Sequence, residues 1–338
     1  MTEDKNLTIN DIADALGVSK TTVSRAISGK GRIGEETRAR VLEYIEAHNY
    51  RPNVIAKGLA QSRTYNIGLV IPGDYNIVEL PFFQNCMLGI SKIASSLDYD
   101  VLVSIVTAED ISQLQRVAVN HKVDGFILTR TLVEDAPAEY LKKTGIPFVT
   151  IGCTEDDSVV WIDSDHRKAC RELTGLLLAR EGGKIALIGG SRAHMVNRYR
   201  VQGFLDACRE YADRESAMPE KYVFSDVEGM EAVEGIVEKL LRDGVRCIVS
   251  TDDYLCGCVL NSLQQRKIKV PGQVRVASFY DSSFLENYMP SVTSIQFDIE
   301  ELGKTTCRTL LKMIDGGTVP GKSLLGYRIS MRDSTGGA

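Results

Sequence analysis

Several polar and charged side chains follow short apolar segments of this chain, where the carboxyl ends of strands would expose them. They are Thr129 and Arg130, Asp252 and Asp253, and Tyr280 and Asp281. Two aromatic residues, Phe82 and Phe83, follow a proline, and Arg200 precedes a Gly-Phe pair. Guanidinium and carboxylate groups can bind paired hydroxyls, and aromatic rings can pack on the apolar face of a sugar. This set is therefore suited to binding a polyhydroxylated small molecule.

A second group of side chains has the chemistry needed to read DNA. It consists of short polar and basic residues near the N-terminus: Ser19, Lys20, Thr21, Thr22, Ser24 and Arg25. An arginine can donate two hydrogen bonds to O6 and N7 of guanine, and a threonine methyl can contact the methyl of thymine. The spacing of these residues also fits an ordinary surface helix of a three-helix bundle, so it leaves both interpretations open.

The charge distribution favours a nucleic-acid-binding segment. The chain has 338 residues, of which 40 are basic and 45 acidic, so its net charge is −5. Residues 18–63 nevertheless hold nine basic and four acidic residues, which leaves a net charge of −10 for the remainder. A basic segment on an acidic body is typical of a nucleic-acid-binding module joined to another domain.

Three short helices are predicted within residues 1–52. Thr8 and Asp11 form a capping-box pattern, and Gly17 suits the left-handed conformation that ends a helix. Ser19 can cap the second helix, and a third is expected from about Glu35. The residues predicted to face inward are Ile9, Ile12, Ala13, Leu16, Val23, Ala26, Ile27, Val41, Leu42 and Ile45. A helix, a glycine turn and a second polar helix form the helix-turn-helix pattern.

Residues 53–61 form a separate short segment. Asn53 can cap a helix there, but isolated helices shorter than about 12 residues are marginal in water. Gly58 lowers helix stability by about 1 kcal/mol more. We expect this segment to be ordered only when something holds it, and a flexible linker is the alternative.

The remaining residues, 62–338, show alternating strands and helices. Strands are predicted at residues 66–71, 99–106, 124–129, 147–151, 159–163, 184–188, 246–250 and 275–279. This alternation predicts an α/β fold with parallel sheets that are buried on both faces. Because a similar apolar strand pattern starts again near residue 184, we predict two α/β lobes with a cleft between them.

The N-terminal residues closely resemble the lactose-repressor family of bacterial transcription regulators. The match covers residues 7–19 (LTINDIADALGVS), 20–27 (KTTVSRAI) and 49–60 (NYRPNVIAKGLA). The resemblance implies a homodimer that binds a palindromic double-stranded operator through two recognition helices. It also implies paired hinge helices in the minor groove, where Leu59 is inserted between base pairs. The implied hinge contacts are Asn53, Ala56, Lys57, Leu59 and Ala60.

The larger part of the chain resembles the same family's effector domain, which is itself similar to periplasmic sugar-binding proteins. Residues 123–128 (VDGFIL), 81–83 (PFF) and 200–204 (RVQGF) carry this likeness. It implies that Arg200 binds the ligand and that Asp252 and Asp253 take the place of an Asn-Asp pair. Tyr280 departs from the pattern, because the family commonly has an aspartate there. The implied lobes are about 62–162 with 292–324, and about 163–291 with 325–338.

Each candidate ligand-binding residue also has a structural alternative. Asp252, Asp253 and Asp281 could cap helices, Arg200 could form a structural ion pair, and Phe82 and Phe83 could be core residues. The histidines lie far apart without the spacing of metal ligands, so surface or packing roles are expected for His48, His121, His166 and His194. We therefore expect neither a metal nor another cofactor.

Eight cysteines are scattered through apolar segments, which suits a reducing compartment better than a disulfide framework. The first 20 residues lack an apolar signal-peptide core, and no segment approaches the roughly 20 apolar residues of a membrane span. We therefore expect a cytoplasmic protein that does not bind membranes.

Three function classes were compared on these patterns. A transport-type binding protein would have a secretory signal and no DNA-binding module. An α/β enzyme is disfavoured because the sequence has no phosphate-binding loop, no dinucleotide fingerprint after a strand and no nucleophile elbow. The sequence thus predicts a non-enzymatic transcription regulator, a repressor whose operator affinity is changed by a sugar or sugar derivative in the interlobe cleft.

Overall fold

A computed structural model describes residues 7–28, 31–48, 50, 58, 62–74, 81–181, 184–211 and 219–336. The chain divides into two compact units, Met1–Tyr65 and Asn66–Ala338. The hinge contacts implied by the family resemblance, Asn53, Ala56, Lys57, Leu59 and Ala60, lie outside the described residues. No described helix is both long and apolar enough to cross a membrane.

The described residues of the first unit include three helices, α1 (Ile9–Leu16), α2 (Lys20–Ser28) and α3 (Glu35–Ala47). The predicted capping box is present, because the Thr8 amide donates to Asp11 Oδ2 at 2.7 Å and the Asp11 amide donates to Thr8 Oγ1. Gly17 ends α1 with a φ of 65°. The small core consists of Ile12, Ala13, Val23, Ala26 and Val41, with Leu16, Ile27 and Ile45 packed at its edge.

One inward-facing residue of this unit was predicted wrongly. Leu42 is 42% exposed, whereas its neighbour Val41 is fully buried. Successive residues of an α-helix point about 100° apart, and the other two helices cover only the narrow stripe of α3 that contains Val41 and Ile45. Leu42 therefore falls beside this stripe.

The second unit contains two six-stranded sheets. The first has the strand order β11-β5-β4-β3-β1-β2, and all its neighbouring strands are parallel. Its strands are β1 (Asn66–Pro72), β2 (Asp100–Val106), β3 (Gly125–Leu128), β4 (Phe148–Ile151), β5 (Trp161–Ser164) and β11 (Lys322–Leu325). The helices of this lobe are α4 (Pro81–Ser96), α5 (Ser112–Val119), α6 (Ala136–Thr144) and α12 (Ile299–Ile314).

The second sheet has the order β12-β10-β9-β8-β6-β7 and is parallel except where β10 meets β12. Its strands are β6 (Ile185–Ile188), β7 (Val223–Phe224), β8 (Cys247–Ser250), β9 (Arg275–Ser278), β10 (Thr293–Phe297) and β12 (Tyr327–Ser330). The associated helices are α7 (His166–Glu181), α8 (Met195–Tyr211), α9 (Gly229–Arg242), α10 (Asp253–Gln265) and α11 (Ser283–Asn287). Apolar cores cover both faces of this sheet.

The chain crosses between the lobes after β5, after β10 and between β11 and β12. The second crossing differs from the expected boundary near residue 292. Thr293 and Ser294 pair with Ala277 and Ser278 of β9, so β10 completes the second sheet before the chain returns to the first lobe. The predicted strands otherwise agree with the observed ones to within two residues at each end.

Candidate functional site

A cavity of about 490 Å³ lies between the two lobes, at the carboxyl ends of strands from both sheets. This is where parallel α/β sheets commonly bind ligands. Eight of the nine predicted effector-binding residues line it: Phe82, Phe83, Thr129, Arg130, Arg200, Asp252, Asp253 and Tyr280. The fold thus brings together side chains that are up to 198 residues apart in the sequence.

Asp281 is the exception, because its carboxylate turns away from this cavity. It accepts hydrogen bonds from Arg332 Nη1 at 2.7 Å and Arg332 Nη2 at 2.8 Å. Ser294 Oγ and Gln296 Nε2 also donate to it, each at 2.7 Å. Burial raises the pKa of Asp281, but the hydrogen bonds and the Arg332 charge outweigh burial and hold it below its ordinary value. Asp281 therefore ties the C-terminal segment to β10.

The two adjacent aspartates after β8, Asp252 and Asp253, have different roles. Asp252 caps α10, since the Leu255 amide donates to its Oδ1 at 2.8 Å and the Thr251 hydroxyl donates to its Oδ2 at 3.0 Å. Asp253 is buried at the first position of α10, and burial raises its pKa. The capping alternative is thus confirmed for Asp252, although its side chain also lines the cavity.

Two arginines line the cavity from opposite lobes. Arg130, after β3, forms an ion pair with Asp74. Arg200, on α8, is only 8% exposed, and its Nε has no hydrogen-bond partner within the described part of the chain. Gly203 allows α8, which carries Arg200, to pack closely on α7. A Cβ at residue 203 would overlap the backbone oxygen of Arg167 and push α8 away from α7.

An aromatic cluster forms another part of the wall. The rings of Phe82 and Phe83 meet edge to face at a centroid distance of 5.2 Å, and the Tyr280 ring lies 6.5 Å from Phe82. Phe83 is a buried residue of α4 and also borders the cavity, so it combines the two roles considered for it. Burial raises the pKa of the Tyr280 hydroxyl, which therefore stays protonated at neutral pH.

Several cavity residues were missed by sequence reasoning. Asp163, at the end of β5, accepts hydrogen bonds from the amides of Cys153 (2.9 Å) and Ser164 (2.7 Å) and lies 3.1 Å from His166 Nε2. The placement of Asp163 at the end of a predicted strand could have identified it. His194 also lines the cavity, and burial, together with the charges of Arg130 and Arg200, lowers its pKa to about 4.

Both His166 and His194 line the cavity, and His166 also packs against Phe297 with the ring centroids 4.6 Å apart, so the packing role expected for it is present. Neither histidine ends a strand, since His166 follows β5 by two residues and His194 follows β6 by six, so the strand-end pattern did not mark them as cleft residues. Across the described ranges, no cluster of three or more His, Cys, Asp or Glu side chains could hold a metal ion.

The predicted DNA-reading residues lie at the start of α2 and along it. Ser19 caps the helix by accepting a hydrogen bond from the Thr22 amide at 3.1 Å, and the two hydroxyls are 2.9 Å apart. Lys20, Thr21, Ser24 and Arg25 are exposed, whereas Val23 and Ala26 are fully buried. The helix therefore presents a polar and basic face while its apolar face packs on α1 and α3.

Comparison with known proteins gives matches for both units of the chain. Residues 8–53 match the profile of bacterial regulatory proteins of the lacI family, and residues 174–335 match a periplasmic binding protein-like domain. The regulator pepR1 of Lactobacillus delbrueckii subsp. lactis is 29% identical over 336 residues, which cover 98% of both chains. The chain belongs to the lacI family. It is accordingly a transcription regulator with an effector-binding domain and not an enzyme.

Solved structures support the fold of this lacI-family regulator. A complex of the transcriptional regulator CelR with cellobiose superposes with a TM-score of 0.72 at 24% identity, covering 97% of this chain and 99% of that one. The lac repressor dimer bound to operator and the anti-inducer ONPF superposes with a TM-score of 0.77 at 22% identity, covering 98% and 99%. The three-helix N-terminal unit and the two-lobed core with parallel sheets are thus confirmed.

Proposed function

We propose that this lacI-family regulator is a cytoplasmic, dimeric repressor whose operator affinity is set by a sugar-like effector in the interlobe cleft. The observation that carries the proposal is the composition of the cleft. Aromatic rings, arginines and carboxylates face one cavity of about 490 Å³, which suits a ligand with both apolar faces and paired hydroxyls. The likeness to the cellobiose complex of CelR supports a carbohydrate ligand.

Operator reading is proposed for the exposed face of α2. Lys20, Thr21, Thr22, Ser24 and Arg25, with Ser19 at the helix start, would contact base edges and the backbone in the major groove. Asn53, Ala56, Lys57, Leu59 and Ala60 would form the minor-groove contacts, with Leu59 as the wedge that unstacks one base step. Domain boundaries at 1–52, 53–61 and 62–338 follow from these roles.

An exposed apolar strip supports dimerisation. β2 is the edge strand of the first sheet, and Val103 and Ile105 on it are 43% and 47% exposed. Leu88 on α4 is also exposed. Edge strands with exposed apolar side chains are prone to pair with another chain, and a second copy would cover this strip. A two-fold dimer would then present two recognition helices to a palindromic operator.

The effector would act through a coupled equilibrium. It can change operator affinity only if it binds the DNA-competent arrangement and the alternative arrangement of the lobes with different affinities. Linkage then requires operator DNA to change effector affinity by the same factor. The three chain crossings between the lobes are where such a rearrangement would be transmitted.

The effector test uses the full-length protein and an operator obtained by in vitro selection. A panel of carbohydrates that includes cellobiose is screened by isothermal titration calorimetry, and positive ligands are added to operator titrations. We expect at least one ligand to bind and to change operator affinity, and Arg200→Ala to abolish that response without weakening operator binding. Wild-type ligand affinity in Arg200→Ala, or no carbohydrate binding at all, would contradict the proposed effector site.

The DNA-binding test concerns Leu59. Leu59→Ala should leave the thermal unfolding of the protein unchanged but weaken operator binding, because the apolar wedge is lost. Leu97→Ala, a leucine of the second unit that is 52% exposed, is the matched control and should retain wild-type affinity. Operator affinity should also fall steeply with salt despite the acidic overall charge. Unchanged affinity in Leu59→Ala would refute the hinge role.

A further inference from the structure

We infer that the ligand of the interlobe cleft carries an anionic group, a carboxylate or a phosphate, that binds Arg200 on the second-lobe wall. The inference rests on the proposed function and narrows its ligand class from sugar-like compounds in general to acidic ones. Such ligands would include a sugar phosphate or a sugar acid. The inference depends on how the charges that line the cavity are compensated.

Among the described residues, Arg200 is a buried cation without a counter-ion. Its side chain lines the cavity while the residue is only 8% exposed. Within the described residues its guanidinium forms no ion pair, and its Nε is inaccessible to water and has no hydrogen-bond partner. Burial of an unpaired charge is costly unless a group of opposite charge or a strong acceptor approaches it.

Three other arginines of this unit, each with little exposed side chain, have protein partners. Arg130 is paired with Asp74 across the first-lobe wall. Arg332 donates two hydrogen bonds to Asp281, and Arg275 donates to the Leu177 carbonyl. Because these guanidiniums all have protein partners, the lack of one at Arg200 is a specific feature of the cleft.

The acidic residues that line the cavity do not supply the missing charge. Asp74 is paired with Arg130, Asp163 accepts from two backbone amides and contacts His166, and Asp252 caps α10. Asp253 is buried away from any ion pair, and Glu228 is an exposed residue of the cavity wall. None of these carboxylates forms an ion pair with Arg200 in the part of the chain that the structure describes.

The N-terminal end of α8 also favours an anion near Arg200. It lies within six residues of the N-terminus of the 17-residue helix α8, and helical side chains lean toward the N-terminal end, where backbone N–H groups and the helix dipole favour anions. Arg130 and Arg200 together disfavour protonation of His194, so both charges act on the same part of the cavity. Tyr280 stands at the position where the family commonly has an aspartate, and its hydroxyl interacts electrostatically with both Asp253 and Arg200.

The first test asks whether an anion binds at Arg200, with inorganic phosphate and acetate as probes. Thermal unfolding of the full-length protein is followed at increasing phosphate or acetate, against sodium chloride of equal ionic strength. Anion binding to the folded state raises the unfolding temperature with concentration. We expect stabilisation beyond chloride in the wild type, partial retention in Arg200→Lys and loss in Arg200→Met.

Arg200→Met also removes the unpaired buried charge, so without phosphate it should unfold at the same temperature as the wild type or a higher one. Arg242→Met, an exposed arginine on α9, is the matched control and should keep the full response. Equal stabilisation of wild type and Arg200→Met, or no stabilisation beyond chloride, would overturn the inference.

The second test compares ligands that differ only in charge. Calorimetry is carried out with glucose, glucose 6-phosphate and glucuronate, and with cellobiose and cellobionate. We expect the acidic members to bind at least tenfold more tightly, with the difference lost in Arg200→Met. Neutral sugars that bind as tightly as acidic ones would overturn this inference and leave the proposed carbohydrate effector intact. Phosphate binding at Arg200 without binding of any carbohydrate would support the inference and contradict the carbohydrate proposal.

Discussion

The carboxyl ends of β8 and β9 both present two polar residues beside the cleft, but they use them in opposite order. After β8, Asp252 caps a helix and Asp253 is buried against the cavity. After β9, Tyr280 lines the cavity and Asp281 turns away toward Arg332. Adjacent residues at the end of a strand point in different directions, so one member of each pair can be structural while the other faces a ligand. A strand end therefore marks a site without showing which of its residues contacts the ligand.

The largest expected effect concerns Asp281, whose proposed role is wholly structural. Asp281→Ala leaves Arg332 without its buried partner, and breaking such a pair is expected to cost about 3 kcal/mol of unfolding free energy. Urea unfolding of the full-length protein, followed by circular dichroism, measures this loss. Glu228→Ala, an exposed acid of the cavity wall, is the control and should change stability by less than about 0.5 kcal/mol. A loss equal to that of the control would mean that the Asp281 network contributes little.

The pH dependence of the same residue provides a second prediction. Because the folded-state pKa of Asp281 is lowered, its stabilising effect is present above the unfolded-state pKa of about 3.9 and is lost as the pH falls through the lower folded value. The stability difference between wild type and Asp281→Asn should thus be constant from pH 7 to about 5 and shrink below about pH 4. Urea titrations of both proteins across this range test it. A difference that grows on acidification would contradict the assignment.

The sequence could predict the position of Asp281 but not its contacts. Its placement after an apolar strand followed from local pattern, as did that of Thr129, Arg130, Asp252, Asp253 and Tyr280, which line the cavity. Its partner Arg332 lies 51 residues further along the chain, on a segment with no local signal of its own. Long-range pairs of this kind are fixed by tertiary packing, so reading each segment alone does not reveal them.

The strands that were not predicted are also fixed by tertiary packing and not by local sequence pattern. β7 has two residues, and β11 and β12 have four each, with no fully buried position. Periodicity is weak in such short, half-exposed segments, and these strands form because a more buried neighbouring strand offers a free edge. β10 has three buried residues, but it follows Pro290 in a stretch expected to lead back to the first lobe. The element type of the long, buried strands could therefore be predicted, whereas the edges and crossings of the sheets could not.

A smaller loss of stability is expected when Asp252, the helix-capping residue of the pair after β8, is substituted. Asp252→Ala removes the acceptor for the Leu255 amide at the start of α10 and should cost about 1 kcal/mol. Asp252→Asn keeps a side-chain oxygen at the same place, so its stability should stay within a few tenths of a kcal/mol of the wild type. Urea unfolding of the two variants distinguishes the contribution of the capping hydrogen bond from that of the negative charge. Equal losses in both would show that the negative charge, and not the hydrogen bond, stabilises the helix.

The smallest change in stability, and one of opposite sign, is expected when Asp253 is substituted. Burial raises its pKa, so ionisation of this side chain is less favourable in the folded protein than in the unfolded chain. Stability is therefore lowered as the pH rises from the unfolded-state value of about 3.9 through the higher folded value. Asp253→Asn removes this penalty and should be at least as stable as the wild type at pH 7.

The advantage of Asp253→Asn should disappear below about pH 4, where the aspartate is protonated in both states. Urea unfolding at pH 7 and pH 3.5 measures both points, with Asp281→Asn as the comparison of opposite sign. If Asp253→Asn instead lost stability at pH 7 as Asp281→Asn does, Asp253 would belong to the structural framework. The division of roles within each strand-end pair would then hold for β9 alone, and Asp253 would no longer be a ligand-facing residue of the cleft.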